Sequence, residues 1–400
     1  MIIETGFLGR LNKTLVKQWH RSPSLLLPIQ GLVRRLLNGY VVCQVYTHLI
    51  FLPSRLIQET YTQIFMTRRN LVTCFHEPFG DAFYFGPERI SPAWLRWPAD
   101  QIDKTGRAHY TYDYVLQTIL DAIKVGQAIL WFLSSLLTAR NYYQEPSKRV
   151  FLKDMSYHII PPSHSPNATA PSLQHLSNPR DPPNPTLLPT SLLNTFQFIF
   201  LIRRPSASMP SLYRCFIPPL SEKTGEHTLD PTELGYRETR LLFDYLSPPA
   251  LRPAISATSI RSSHGVQDAL PILIDADDLL AHPEFILRSV CARLNFPYSS
   301  SMLSWSTPED HVHAESLFKK YAGYHEDALN STGLRSRTAD RQATGRDAKT
   351  RAEEDQEWTE RYGSEAASEI RSAVDLCRED YEYLRGFRIK PEDGEDGDID

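Results

Sequence analysis

The stretch from Phe196 to Arg214 constrains this chain most. Phe196-Gln197-Phe198-Ile199-Phe200-Leu201-Ile202 is an aromatic, apolar run of the length of one buried strand. It stops at Arg203-Arg204-Pro205, where proline fixes φ and removes an N–H, so a central strand ends there. Small and hydroxyl residues follow, and Leu212-Tyr213 resumes an apolar pattern. The reading is strand, turn, helix start. Ligands of open α/β sheets bind at the carboxyl ends of strands. Arg203 stands at such an end, and Ser211 lies one to two helical turns further on. A guanidinium fork and a hydroxyl at a helix start suit a phosphate.

Other segments repeat the alternation. Tyr40 to Leu52, Leu71 to Phe75, Arg149 to Met155 and Leu270 to Asp275 read as strands. Leu56 to Arg69, Tyr112 to Arg140, Pro231 to Tyr245, Phe285 to Leu294 and Glu357 to Phe387 carry helical periodicity. Strands alternating with helices imply one α/β domain with a mostly parallel sheet, spanning 41–390. Residues 1–40 form a basic extension ahead of it. Residues 161–190 are a Pro/Ser/Asn-rich loop insert, and 391–400 an acidic, disordered tail. Right-handed crossovers put Arg55, Glu77, Lys153 and Arg203 along one sheet edge.

Composition closes off other classes. A net charge of −4 gives no field for nucleic acid. Five scattered cysteines without a CxxC pair form neither a disulfide framework nor a zinc site, so no metal is expected. Two apolar segments, Tyr40 to Leu52 and Val125 to Ala139, stop short of the roughly 18 residues a span requires. The expectation is a cytoplasmic protein, with an N-terminal signal anchor as the lesser alternative.

Arg203-x-Pro205, with Ser211 six residues after the proline, resembles the 3′-phosphate motif of sulfotransferases. The similarity is to the fungal group of P-loop sulfotransferase-like proteins and covers about 47–390. It implies a P-loop NTPase-like, three-layer α/β/α fold. It also implies transfer of a sulfuryl group from 3′-phosphoadenosine 5′-phosphosulfate (PAPS) to a hydroxyl of a small molecule. By position, Arg203 and Ser211 would hold the 3′-phosphate. Arg55 takes the arginine position of the 5′-phosphosulfate loop. That loop departs from the pattern: Gln58 and Glu59 stand where a Ser-Thr pair belongs, and no glycine is present. An acid there repels a phosphosulfate. Three readings follow: a degenerate member keeping only nucleotide binding or the fold, use of Arg55, Thr60 and backbone amides instead, or a faulty gene model ahead of Tyr61. A kinase or nucleotide hydrolase would need a Gly-Lys-Ser/Thr signature, which the chain lacks.

The reaction needs a base for the acceptor hydroxyl. His76-Glu77-Pro78 resembles the Glu-Pro segment in which a glutamate plays that role, making Glu77 the first candidate and His76 the second. Lys153, at the end of a strand, is in place for a sulfuryl oxygen or for a local carboxylate. Aromatics from Phe83 to Trp97 suit an acceptor-pocket wall or plain packing. Phe318 to Leu334 resembles the family's late segment, so Ser331, Thr332 and Gly333 are candidate nucleotide contacts and His325 a further acid–base candidate.

Overall fold

The computed structural model describes residues 47–52, 58–92, 98–122, 149–165, 168–248, 270–334 and 349–391, with backbone only for 47–52 and 58–60. The chain divides into two compact units, Met1–Val45 and Tyr46–Asp400, and every described residue belongs to the second. Arg55, the basic extension and the acidic tail lie outside the described residues.

Five strands form one sheet: β1 (Thr47–Leu52), β2 (Val72–His76), β3 (Arg149–Met155), β4 (Phe196–Ile202) and β5 (Ile272–Asp275). Their order is β2-β3-β1-β4-β5, and every pairing is parallel. β1 is the axis, with Ile50 level with Lys153 on one side and Ile199 on the other. All carboxyl ends therefore share one edge.

The unbroken apolar runs follow from burial on both faces. Successive strand residues point to opposite sides. Val150, Leu152, Phe198, Phe200, Ile202 and Leu273 enter one core, while Phe151, Ile199, Leu201, Ile272 and Ile274 enter the other. The first core is closed by 112–119, α3 (Pro205–Tyr213), α4 (Tyr236–Leu246) and α8 (Ser364–Arg385). The second is closed by α1 (Gln58–Met66) and α5 (Pro283–Arg293), and α6 (Pro308–Phe318) packs on α1 through Ala314, Phe318 and Met66. A fully buried phenylalanine such as Phe200 contributes about 1.5–3 kcal/mol.

The adjacent strands β1 and β4 send their next helices to opposite faces. Tyr61, Ile64 and Phe65 of α1 lie in the second core, while Met209 and Leu212 of α3 lie in the first. That divergence is a topological switch point, and open α/β sheets bind ligands in a crevice beyond the strand ends at such points.

Two expectations change. The helix expected over 231–245 is a short 3-10 turn, Pro231–Glu233, followed by α4, because Gly235 takes φ 78 between them. The closing helix is two, α7 (Arg351–Tyr362) and α8, parted by Gly363 at φ 90. The Pro-rich insert contains buried anchors: Leu173, Thr186 and Leu188 are fully covered, and Asn184 donates to Leu188 O at 2.6 Å. Only Pro166 and Asn167 of that stretch fall outside the described residues.

Candidate functional site

At the carboxyl ends of β2 and β3 the structure gathers His76, Glu77, Lys153 and His325. Glu77 and Lys153 are about 1% and 0% exposed, and the Lys153 ammonium donates to the Glu77 carboxylate. Lys153 Nζ also lies 3.7 Å from Met155 Sδ. The pair can coexist because each charge answers the other; alone, either would be expensive to bury. His76 Nε2 is 3.1 Å from His325 Nε2 and 3.8 Å from Glu77 Oε1. Burial drives the His76 imidazole well below its usual pKa, and the Lys153 charge pushes the same way. His76 is thus neutral, and one ring of the pair donates while the other accepts.

Glu77 holds φ 46, a left-handed conformation uncommon for a side-chain-bearing residue. The neighbourhood holds it there. Its N–H donates to Lys153 O at 2.6 Å, and its C=O accepts from Lys320 Nζ at 2.6 Å and Gly80 N at 3.2 Å. Two residues on, Phe79 N donates to Asp154 Oδ2 at 2.8 Å. Asp154 Oδ1 pairs with His158 Nδ1 at 2.6 Å, and His158 Nε2 is buried without a hydrogen-bond partner. Gly80 opens α2 (Gly80–Tyr84) and is glycine for space: a Cβ would stand 2.4 Å from the Tyr321 hydroxyl and 2.9 Å from His158 Cε1.

A cavity of about 240 Å³ adjoins this cluster. Met155, Lys320, Tyr321, Tyr84, Phe85 and Leu212 line it. The Phe83–Trp97 segment thus supplies wall residues, Tyr84 and Phe85, while 93–97 lie outside the described residues. Glu77 is not itself in the lining; Lys320 and Met155, which touch the Glu77–Lys153 pair, are.

Arg203 follows β4 at the switch point. Its carbonyl accepts from the Tyr236 hydroxyl at 2.5 Å, and Tyr236 also meets Ser208 Oγ at 2.7 Å. Arg203 and Ser211 are both half-buried, Ser211 in the second turn of α3. Arg204 is 44% exposed and lies 3.8 Å from Asp277.

Ser331, Thr332 and Gly333 have structural work. The Ser331 hydroxyl lies 2.6 Å from Ala328 O and 3.2 Å from Gln63 Oε1, and accepts from Trp305 Nε1 at 3.0 Å. Thr332 O accepts from Trp305 N at 3.0 Å. Gly333 bridges Ser304, and a Cβ there would sit 2.7 Å from Leu303 O. These contacts tie the segment to α1 and the 300–305 turn. The sequence reading missed Asp81, Lys320, Asp154 and His158; the partners of Asp81 and Lys320 come from distant segments, whereas Asp154 and His158 pair across a local spacing of four residues that could have been read. Among the described residues no group of acids, histidines and cysteines is placed to hold a metal, and no helix is long and apolar enough to cross a membrane.

The site thus belongs to an α/β protein with titratable groups collected at the carboxyl edge of a parallel sheet. No protein-family profile matches the chain. Over about half its length it is similar to sulfotransferases. It is 27% identical over 211 residues to "Sulfotransferase ppzF" of Metarhizium majus (strain ARSEF 297), covering 52% of this chain and 57% of that one. It is 26% identical over 218 residues to the protein of the same name from Metarhizium rileyi (strain RCEF 4871), covering 53% and 58%. The match therefore spans less than two thirds of either relative. Among solved structures, a sulfotransferase domain from the curacin biosynthetic pathway aligns over 79% of this chain and 97% of its own, at 13% identity. Its TM-score of 0.34 is too low to establish a shared fold.

Proposed function

We propose that the chain transfers a sulfuryl group from PAPS to a hydroxyl of a small molecule held in the cavity beside Tyr84 and Tyr321. On this reading the fold is the P-loop NTPase-like α/β/α sandwich, and the crevice between β1 and β4 takes the nucleotide. One observation carries the proposal: Arg203 at the switch point, the Glu77–Lys153 pair and the cavity stand along one sheet edge. The similarity to sulfotransferases supports it.

The residues present fit the nucleotide where they are described. Arg203, with its backbone pinned by Tyr236, precedes the amino end of a nine-residue helix, where N–H groups and the helix dipole favour an anion. Arg203 and Ser211 would hold the 3′-phosphate; Arg55 would serve the phosphosulfate. When bound, PAPS supplies the electrophilic sulfur. The chain's part is positioning and proton handling. Glu77 takes the proton of the acceptor hydroxyl as its oxygen bonds to sulfur and the bond from sulfur to the phosphate oxygen breaks. Lys153, already against that carboxylate, fixes its orientation. Met155 and Lys320, the wall residues that touch the pair, stand between the cavity and Glu77, so the acceptor hydroxyl must reach past them to the carboxylate. His76, neutral and 3.8 Å from Glu77, is the second acceptor.

Calorimetric titration with adenosine 3′,5′-bisphosphate (PAP), beside 5′-AMP, tests the reading. PAP should bind with a dissociation constant on the order of micromolar and at least about tenfold more tightly than 5′-AMP. No binding, or equal binding of the two, would sink it.

A further inference from the structure

The cavity wall carries a charge arrangement that base and nucleotide contacts do not explain. Asp81, in the first turn of α2, meets two cations at once. Lys320 Nζ lies 2.9 Å from Asp81 Oδ2, and Arg107 Nε lies 3.3 Å from Oδ1. Both cations line the cavity. One carboxylate between two cations leaves an excess positive charge at that wall.

The other charged groups of the lining are differently placed. Lys223 pairs with Glu326 at 3.0 Å. Glu233 accepts from the hydroxyls of Tyr84 and Ser91, each at 2.8 Å. Asp230 accepts from Thr232 N at 2.9 Å and from the Thr232 hydroxyl at 2.6 Å. Glu226 also lies in the lining, and Lys319 is exposed at its rim.

Lys320 is built in. Its side chain is 13% exposed, and its other hydrogen bond goes to Glu77 O. An ammonium has three N–H donors; beyond those two hydrogen bonds Lys320 Nζ stands 4.9 Å from the centre of the Tyr321 ring, which also lines the cavity. Arg107 is partly exposed, stacks over Phe85 at 5.5 Å, and is ion-paired with Asp81 Oδ1, an oxygen that receives no hydrogen bond, so its N–H fork is not committed to that carboxylate. Burial lowers the Lys320 pKa while Asp81 opposes the shift. An anion arriving in the cavity would act in the same sense as Asp81, favouring the charged ammonium.

We propose that Lys320 and Arg107 form an oxyanion subsite in the cavity, binding an anionic oxygen group of the small molecule held there. The group is either the sulfate ester of the product or a carboxylate that the acceptor already carries. This rests on the reading of the cavity as the acceptor site. It makes Lys320 a substrate-binding residue as well as the anchor of the Glu77 turn.

The test is calorimetric titration of the full chain with phenyl sulfate, benzoate and phenol, with and without PAP. Phenyl sulfate should bind at least about tenfold more tightly than phenol, the scale of one charge-assisted hydrogen bond. Benzoate binding as tightly assigns the subsite to an acceptor carboxylate; a preference confined to phenyl sulfate assigns it to the product's ester. Lys320→Met should shrink the preference to within about twofold while leaving PAP affinity unchanged. Arg107→Gln, which does not touch the Glu77 turn, is the second variant and should weaken the preference where Lys320→Met fails to fold. Equal binding of phenol and phenyl sulfate by the unmodified chain, no binding of either, or a preference that survives both substitutions would overturn the subsite. Failure of PAP to bind would count against the sulfuryl-transfer reading alone, since the anion preference is read without it.

Discussion

The two ends of the sheet's carboxyl edge are built in opposite ways. At the β2–β3 end the charges are answered inside the protein: Glu77 by Lys153, Asp154 by His158, and His76 meets His325. These side chains are dry and fixed before any ligand arrives. At the β4 end Arg203 and Ser211 stay half-buried, and Arg204 is 44% exposed with a distant acid. A proton-handling group benefits from a low-dielectric surrounding that fixes its partner and protonation state. A phosphate-binding group must remain reachable by a hydrated dianion. On the proposed function, that difference would separate residues that position chemistry from residues that capture a ligand.

The comparison breaks most visibly at Glu77. Glu77→Gln should lower turnover by roughly 10²–10⁴-fold, the usual worth of a general base. It should also cost about 3–5 kcal/mol of stability, because Lys153 is left charged and buried without its carboxylate. Adding Lys153→Met to Glu77→Gln should restore most of the stability and none of the turnover, measured by urea melts beside sulfuryl-transfer rates. A fully active Glu77→Gln protein would move the base to His76.

Arg203→Ala tests the other end. PAP affinity should fall by about 10–100-fold, the worth of hydrogen bonds to a charged group, with the melting curve little changed. Unchanged affinity would remove the nucleotide assignment from β4.

These two ends were unequally legible in the sequence. β4 showed because burial on both faces writes one uninterrupted apolar run, and Pro205 ends it with a local rule. β3 showed for the same reason, with matching bounds, Arg149–Met155. His76, Glu77 and Lys153 could be singled out as strand-end residues. Their pairing could not, because the partners are 76 residues apart for Lys153 and Glu77 and 249 apart for His76 and His325. The breaks at Gly235 and Gly363 carried a signal, glycine at a left-handed position, that helical periodicity overrode. Ser331, a candidate ligand contact by position, has its hydroxyl among Gln63, Ala328 and Trp305. Composition does not separate a hydroxyl that binds a ligand from one that joins two segments.

The dry end should also show in the pH dependence of stability. The His76 pKa is lowered in the folded chain from its ordinary 6.5, so unfolding takes up a proton below that pH. The stability it contributes is complete above about pH 6.5 and falls as pH drops toward the folded value, with a slope of up to about 1.4 kcal/mol per pH unit for one proton. Replacing His76 with glutamine should flatten that limb between about pH 6.5 and 5 relative to the parent chain, read from urea midpoints. An unchanged slope would mean that His76 is charged in the fold.

The smallest effect should come from the segment that joins the two ends. The short helix Glu326–Leu329 lies just after His325 and bonds to the region beyond α3: Arg214 makes two contacts with Asp327, at 3.2 and 3.3 Å, and Lys223 pairs with Glu326 at 3.0 Å. These side chains are a third to a half exposed, so water screens them, and Arg214→Ala should cost no more than about 1 kcal/mol. High salt should shrink that difference further, while leaving the cost of Glu77→Gln nearly intact, because the Glu77–Lys153 pair is beyond the reach of screening ions. Urea melts of both variants at low and high salt separate the cases. A loss at Arg214 as large and as salt-insensitive as the loss at Glu77 would mean that the two ends are held as one rigid charge network, and the contrast between a fixed end and a receptive end would fail.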